Sequence, residues 1–190
     1  MRKRETIAGL LALGLLCMAG CSRLYQRQET PPVQQAEEEP PAGTLNFGTY
    51  DVPQGWVVAP QYSSQQKLFY VQQGQKQAAR PDNISVEEGS NLYAKEEHEQ
   101  FRSAILSQLM MQLRNQPGVQ LEGEGTHTAA GDVLYIFTIR EEVTGIVTRQ
   151  FYIVGDKRYC LIHETNFSGE IAADDAARAM ADSFVWQQDE

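Results

Sequence analysis

Three histidines, three cysteines and a scatter of carboxylates are the side chains of this 190-residue chain that could do chemistry, and their spacing limits what they can do. His98, His127 and His163 stand apart from one another, and none has a second ligand or a nucleophile at a motif spacing. No HExxH, CxxC, P-loop or glycine-rich dinucleotide pattern occurs. Cys160 sits between Tyr159 and Leu161 in a strand-like stretch, the setting of a buried small hydrophobe rather than of an activated thiolate. Glu87-Glu88 and Glu141-Glu142 offer paired carboxylates of the kind used in general acid–base work or calcium binding. Without EF-hand spacing, adjacent acids at strand ends read as solvated. A hydrolytic site would need His163, Cys160 and an acid to converge in one cleft. The expectation is a chain that is not an enzyme, with no catalytic residue, no metal and no cofactor.

Cys21 has a different chemistry. It ends Leu15-Leu16-Cys17-Met18-Ala19-Gly20-Cys21, after a basic start (Arg2, Lys3, Arg4) and an apolar run from Ile7 to Met18. That is the layout of a secretory signal. The apolar run falls well short of the roughly 20 residues that span a bilayer, so a permanent transmembrane helix is not expected. Met18-Ala19-Gly20-Cys21 resembles the lipobox of bacterial lipoproteins, in which the cysteine thiol is acylated and becomes the first residue after cleavage. The resemblance implies lipid attachment at Cys21, loss of residues 1–20 together with Cys17, and a membrane tether on the extracytoplasmic side of the cell envelope. Two or more acyl chains on one residue anchor stably, where a single chain binds only marginally.

Removing Arg2, Lys3, Arg4 and Glu5 with the signal reduces 16 basic and 25 acidic residues to 13 and 24, a net charge of −11. Such a chain lacks the basic footprint that nucleic acid requires. From 21 to 44 the chain is rich in Gln, Glu and Pro, with Leu24, Tyr25 and Val33 its only bulky apolar residues. It cannot bury enough to offset its ordering entropy and reads as a disordered spacer. Fully extended as polyproline it would reach roughly 70 Å. With Cys21 consumed by lipid, Cys160 has no disulfide partner, so the remaining residues, 45–190, must be held by their own core. A domain of that size buries about 68–70% of its unfolded surface, which suffices.

What must position the side chains of that domain is legible in its periodicity. Leu45 to Asp51 alternates as a half-buried strand, and Pro53 and Gly55 then turn the chain and deliver Trp56. Short strands are expected at Trp56 to Val58, Leu68 to Val71 and Asn83 to Glu87. A long helix is expected from about Lys95 to Asn115, with Phe101, Ile105, Leu109 and Leu113 on one face, acids at its start and Pro117-Gly118 at its stop. On this reading Ile105→Asp unfolds the domain. Four further strands follow, at Val119 to Gly123, Val133 to Glu142, Ile146 to Val154 and Arg158 to Thr165. The second is apolar on both faces, hence covered on both, and short polar connections make the last three hairpins. A helix from about Ile171 to Ser183, faced with alanines, closes the chain before Phe184 and Trp186.

The first strand running into Tyr50-Asp51-Val52-Pro53-Gln54-Gly55-Trp56, the Pro81-Asp82-Asn83-Ile84-Ser85-Val86 strand, the long helix, the Gly155-to-Leu161 hairpin and a last helix ending in Ser183-Phe184 together resemble the PsbP/DcrB-like group, also called Mog-type. The resemblance covers about 45 to 187. It implies an α+β fold, an antiparallel sheet flanked by helices on both faces, and the accessory, adaptor, chaperone-like or envelope-lipoprotein roles found in that group, without catalysis. Fold alone does not choose among them. Two readings stay open. One is a binding or adaptor lipoprotein that engages an envelope protein through a sheet face, a groove beside the long helix, or the loops around Tyr62 and Tyr93. The other is a carrier or sensor holding a small apolar or lipidic ligand between sheet and helix. A contiguous exposed apolar patch would favour the first and an internal apolar cavity the second.

Overall fold

The computed structural model describes residues 44–187. The signal segment 1–20, Cys21 and its expected lipid, and the spacer as far as residue 43 lie outside the described residues, as do 188–190.

The chain opens with two short strands, β1 (Thr44–Leu45) and β2 (Gly48–Thr49), and passes through β3 (Trp56–Val58), β4 (Lys67–Gln72) and β5 (Asn83–Ser90) to the first helix, α1 (His98–Leu113). Four longer strands follow, β6 (Val119–His127), β7 (Val133–Glu141), β8 (Val147–Val154) and β9 (Arg158–Asn166), then α2 (Ile171–Asp182) and β10 (Val185–Trp186). Seven strands form one sheet in the order β3-β4-β5-β9-β8-β7-β6, every pairing antiparallel. A small second sheet has the order β1-β2-β10. The fold is therefore a mostly antiparallel sheet with two helices.

The core divides according to the alternation of side chains along the strands. Leu134 and Ile136 of β7, Phe151 and Ile153 of β8, and Cys160 and Ile162 of β9 pack with Ala173, Ala176, Ala177, Met180 and Ala181 of α2. Their neighbours in sequence, Tyr135, Phe137, Tyr152, Val154 and Leu161, pack instead with Phe101 and Leu109 of α1. Alanines let α2 lie close to the sheet. α1 is held mainly by Phe101, whose ring meets Tyr152 at 5.8 Å, Tyr159 at 5.4 Å and Tyr93 at 6.4 Å.

Two expectations are revised. Leu45 to Asp51 is not one strand but a tight hairpin, with Leu45 opposite Gly48. Leu45, Phe47 and Tyr50 are buried and Thr49 is exposed, so the expected alternation holds to Phe47 and breaks where the chain turns back. What the hairpin serves is the C-terminal β10, which pairs with β2, and there a Cβ at Gly48 would lie 2.5 Å from the Phe184 ring. Only glycine permits that approach. Along α1 the expected apolar face is anchored at Phe101 and Leu109, whereas Ile105 and Leu106 are half-buried and Met110 and Met111 are exposed. The load rests on Phe101 rather than Ile105.

Candidate functional site

The face of the large sheet that carries α1 is covered in two places. α1 stands over Tyr135, Tyr152 and Leu161. At the other side the turn Pro60–Tyr62 folds over β4, setting the Tyr62 ring tilted against Phe69 with ring centroids 5.3 Å apart. Between them the floor is β5, β9 and β8, and the register puts Ser85 opposite His163 and His163 opposite Gln150. With strands about 4.8 Å apart, these three side chains make a polar row about 10 Å long.

Strand alternation explains the row. Ile84, Val86, Ile162 and Phe151 point to the α2 side and are completely or almost completely buried, so the intervening Ser85, His163 and Gln150 must point to the other. Ser85 and Gln150 are 5% and 6% exposed and His163 is half-buried, and the polar atoms of Ser85 and His163 are not among those shut off from solvent without a partner. The Gln150 Oε1 accepts from the Tyr152 hydroxyl at 2.9 Å, which leaves its amide N–H groups to donate. Burial, and then the nearby Lys67 charge, push the His163 imidazole down to about 4, so it is neutral at physiological pH. Lys67 is itself paired with Glu87 across β4 and β5, at 3.2 Å. The groove thus offers a hydroxyl, a neutral imidazole and an amide in a line beside an exposed aromatic ring, Tyr62. Such groups can both donate and accept hydrogen bonds.

The opposite face holds a buried charge centre that is structural. Arg149 on β8 lies within 3.5 Å of both oxygens of Glu164 on β9 and is hydrogen-bonded to Asp174 of α2. Asn166 donates from Nδ2 to the Glu170 carbonyl at 2.7 Å and to Asp174 at 3.2 Å. Glu164 is fully buried, and burial, then its hydrogen bond with Asp174, raises it to about 9. It is protonated at neutral pH. Burial also works against ionised Asp174, but hydrogen bonds from Glu164 and Asn166 and the Arg149 charge outweigh that and hold it below the usual range. The trio is therefore close to neutral, as a buried cluster must be. Asp82 is a second staple. Its carboxylate accepts from the backbone N–H groups of Phe167 and Ser168, at 2.7 and 2.9 Å, and from the Ser168 hydroxyl at 2.6 Å.

The residues singled out by sequence fall as follows. Cys160 and His163 project from opposite faces of β9, and Cys160 is completely buried with its thiol pushed well above its ordinary range by that burial. A Cys–His pairing is excluded by geometry. Glu87 and Glu88 also diverge, to Lys67 and to Arg158, while Glu141 accepts from Thr144 and Glu142 from Gln120. His127 is exposed at the end of β6. His98 Nδ1 is 2.7 Å from the Tyr135 hydroxyl, which donates to Glu99 at 3.1 Å; burial, then that glutamate, push Tyr135 up to about 12. This trio ties the start of α1 to β7. Among the described residues no three His, Cys, Asp or Glu side chains gather to hold a metal ion, and no helix is long and apolar enough to cross a membrane. Cys21 lies outside the described residues.

The row itself was not visible in the sequence, because Ser85, Gln150 and His163 belong to three strands whose pairing order is β5-β9-β8. The available signal was the period-two pattern in Asn83 to Glu87 and Arg158 to Thr165, which already sets Ser85 and His163 apart from the apolar face.

No family model matches the sequence, and no curated protein matches it. Among solved structures the chain is similar to cyanobacterial PsbP (CyanoP) from Synechocystis sp. PCC 6803, a solution structure, with 12% sequence identity over 74% of this chain and 86% of that one and a TM-score of 0.48.

Proposed function

We propose that this chain is a lipid-tethered, extracytoplasmic binding module of the cell envelope, fixed to its membrane through Cys21 and engaging an envelope protein through the groove between α1 and the Pro60–Tyr62 turn. The observation that carries the reading is the polar row Ser85, His163, Gln150 on the sheet between α1 and the Pro60–Tyr62 turn, with the exposed ring of Tyr62 at its side.

The same reading takes the fold as a PsbP/DcrB-like α/β/α sandwich, a view supported by the alternation of β7, whose even-numbered residues pack with α2 and odd-numbered ones with α1. It is read as non-catalytic: the Cys160 thiol faces α2 and the His163 imidazole the other side of β9, so the Cys–His pair that the sequence offered is kept apart. Between sheet and helices the positions that a carried lipid would need are occupied by Phe101, Phe137, Tyr152, Phe151 and Phe184.

The test is a photo-crosslinking amino acid at Tyr62 in the full chain in its own membrane, with the same group at Val143, in the turn between β7 and β8, as the control. The reading expects a discrete protein adduct from position 62 that disappears with His163→Arg and does not form from position 143. Equal labelling from both positions, or an adduct indifferent to His163→Arg, would remove the groove from recognition.

A further inference from the structure

A second surface, separate from the groove and independent of it, is the outer edge of β6. The two ends of the large sheet differ. β3 is three residues long, with Pro53 before it and Pro60 after it, a short and guarded edge. β6 is nine residues long and pairs residue for residue with β7, from Val119 opposite Glu141 to His127 opposite Val133, with no bulge. It contains no proline and no lysine, and all but Val119 and Leu121 of its residues are exposed. Among the described residues none of its backbone groups bonds to any element but β7. Every second N–H and C=O is therefore presented outward, a template that proteins ordinarily blunt with charge, proline or a bulge.

The side chains along this edge say what kind of strand it takes. On the α1 side Gly123 and Gly125 have no side chain, and the rings of Phe137 and Tyr135 lie over them, within 3.2 and 3.1 Å of where a Cβ would stand. These rings reach toward the edge, where an apolar side chain of an added strand could touch them. On the α2 side the positions are Gln120, Glu122, Glu124 and Thr126. Glu122 and Glu124 pair inward with Arg140 of β7 and Arg178 of α2, at 4.0 and 3.0 Å, in exposed contacts that are worth little. For a strand laid outside β6 the glutamates are the nearest charges. A second copy is disfavoured: antiparallel self-pairing about Gly123 sets Glu122 opposite Glu124 twice, and like charges directly opposite destabilise a sheet.

We infer that β6 accepts an extended segment of a partner polypeptide by antiparallel strand addition, and that it selects alternating basic and apolar residues. Main-chain bonds supply the affinity and the alternating side chains the choice, as in other strand-addition complexes. The test uses the full chain and three acetylated nine-residue peptides: alternating lysine and valine, alternating glutamate and valine, and the lysine–valine peptide with its central residue replaced by proline. The expected result is that the lysine–valine peptide binds about tenfold or more tighter than either other by fluorescence anisotropy. It should also slow amide hydrogen exchange within 119–127 and leave the groove strands unchanged. Glu122→Lys with Glu124→Lys, both at exposed positions, should reverse the preference toward the glutamate peptide. Equal binding of the proline peptide would reduce the effect to charge attraction and overturn the inference. So would unchanged exchange in β6, or sedimentation showing a dimer of the peptide-free chain with β6 protected, which would assign the edge to a second copy.

Discussion

The protonated Glu164 makes stability depend on pH in a direction opposite to ordinary acid denaturation. In the folded chain its carboxyl is held at about 9 against an ordinary value of 4.5, first by burial and then by the Asp174 carboxylate. Between those values the native state holds a proton that the unfolded chain releases. The contribution is whole below pH 4.5 and is lost as pH rises through 9, at about 1.4 kcal/mol per pH unit. His163 acts in the other direction. Its folded value is about 4 against 6.5, so stability is whole above pH 6.5 and falls as pH drops toward 4. From 4.5 to 6.5 the two slopes nearly cancel, and above 6.5 only Glu164 acts. Above about pH 8.5 the buried Cys160 thiol, which stays protonated in the fold, begins to add to the same trend. The clean window is pH 6.5 to 8, over which stability should fall by about 2 kcal/mol. The assay is urea unfolding of residues 21–190 carrying Cys21→Ser, followed by the fluorescence of Trp56 and Trp186. Glu164→Gln keeps the shape and a donor toward Asp174 but cannot ionise, so its stability should be level across the window. A slope that survives Glu164→Gln, or a wild-type stability that rises from pH 6.5 to 8, would refute the protonated-acid account.

Three further outcomes are expected. Phe101→Ala should cost about 3–5 kcal/mol by denaturant unfolding and Ile105→Ala about half as much or less, because Phe101 is buried among three tyrosine rings and Ile105 is half-buried; equal costs would mean that α1 sits differently. Asp82→Ala removes the acceptor that ties Phe167 and Ser168 to β5 and should lower stability by about 2–3 kcal/mol, with faster amide exchange concentrated at 167–169. Cys160 should resist a thiol reagent in the native chain and react at a rate set by unfolding; rapid native labelling would contradict its burial on the α2 side.

The elements themselves were largely legible. Period-two alternation located the strands from Trp56 onward, and the stretch without glycine or proline bounded by Pro117-Gly118 located α1 to within a few residues. The hairpin within Leu45 to Asp51 was hidden because the turn at Asn46-Phe47 still buries Leu45 and Phe47, as a straight strand would, and departs from the alternation only at Thr49 and Tyr50. The candidate site was less legible, for a physical reason. Its groups come from β5, β8 and β9, and only the placement of β9 between the other two brings Ser85, His163 and Gln150 into line. Equally, nothing local in Glu164 distinguishes it from a solvated acid. Its burial is set by Arg149 across the strand and Asp174 from a helix that follows, contacts of tertiary origin. Cys160 was readable from its apolar neighbours alone, and the open edge of β6 only from the strand order.

The most direct measurement is native mass spectrometry of the full chain released gently from its own membrane, beside Cys21→Ser and His163→Arg versions. The account predicts a wild-type chain that begins at Cys21, carries acyl chains and holds one protein partner in fixed stoichiometry. The acyl mass should be absent from Cys21→Ser, and the partner lost from His163→Arg while its lipid remains. An unmodified N-terminus would contradict the tether. A retained small molecule with no protein partner would contradict the binding-module reading and favour a carrier.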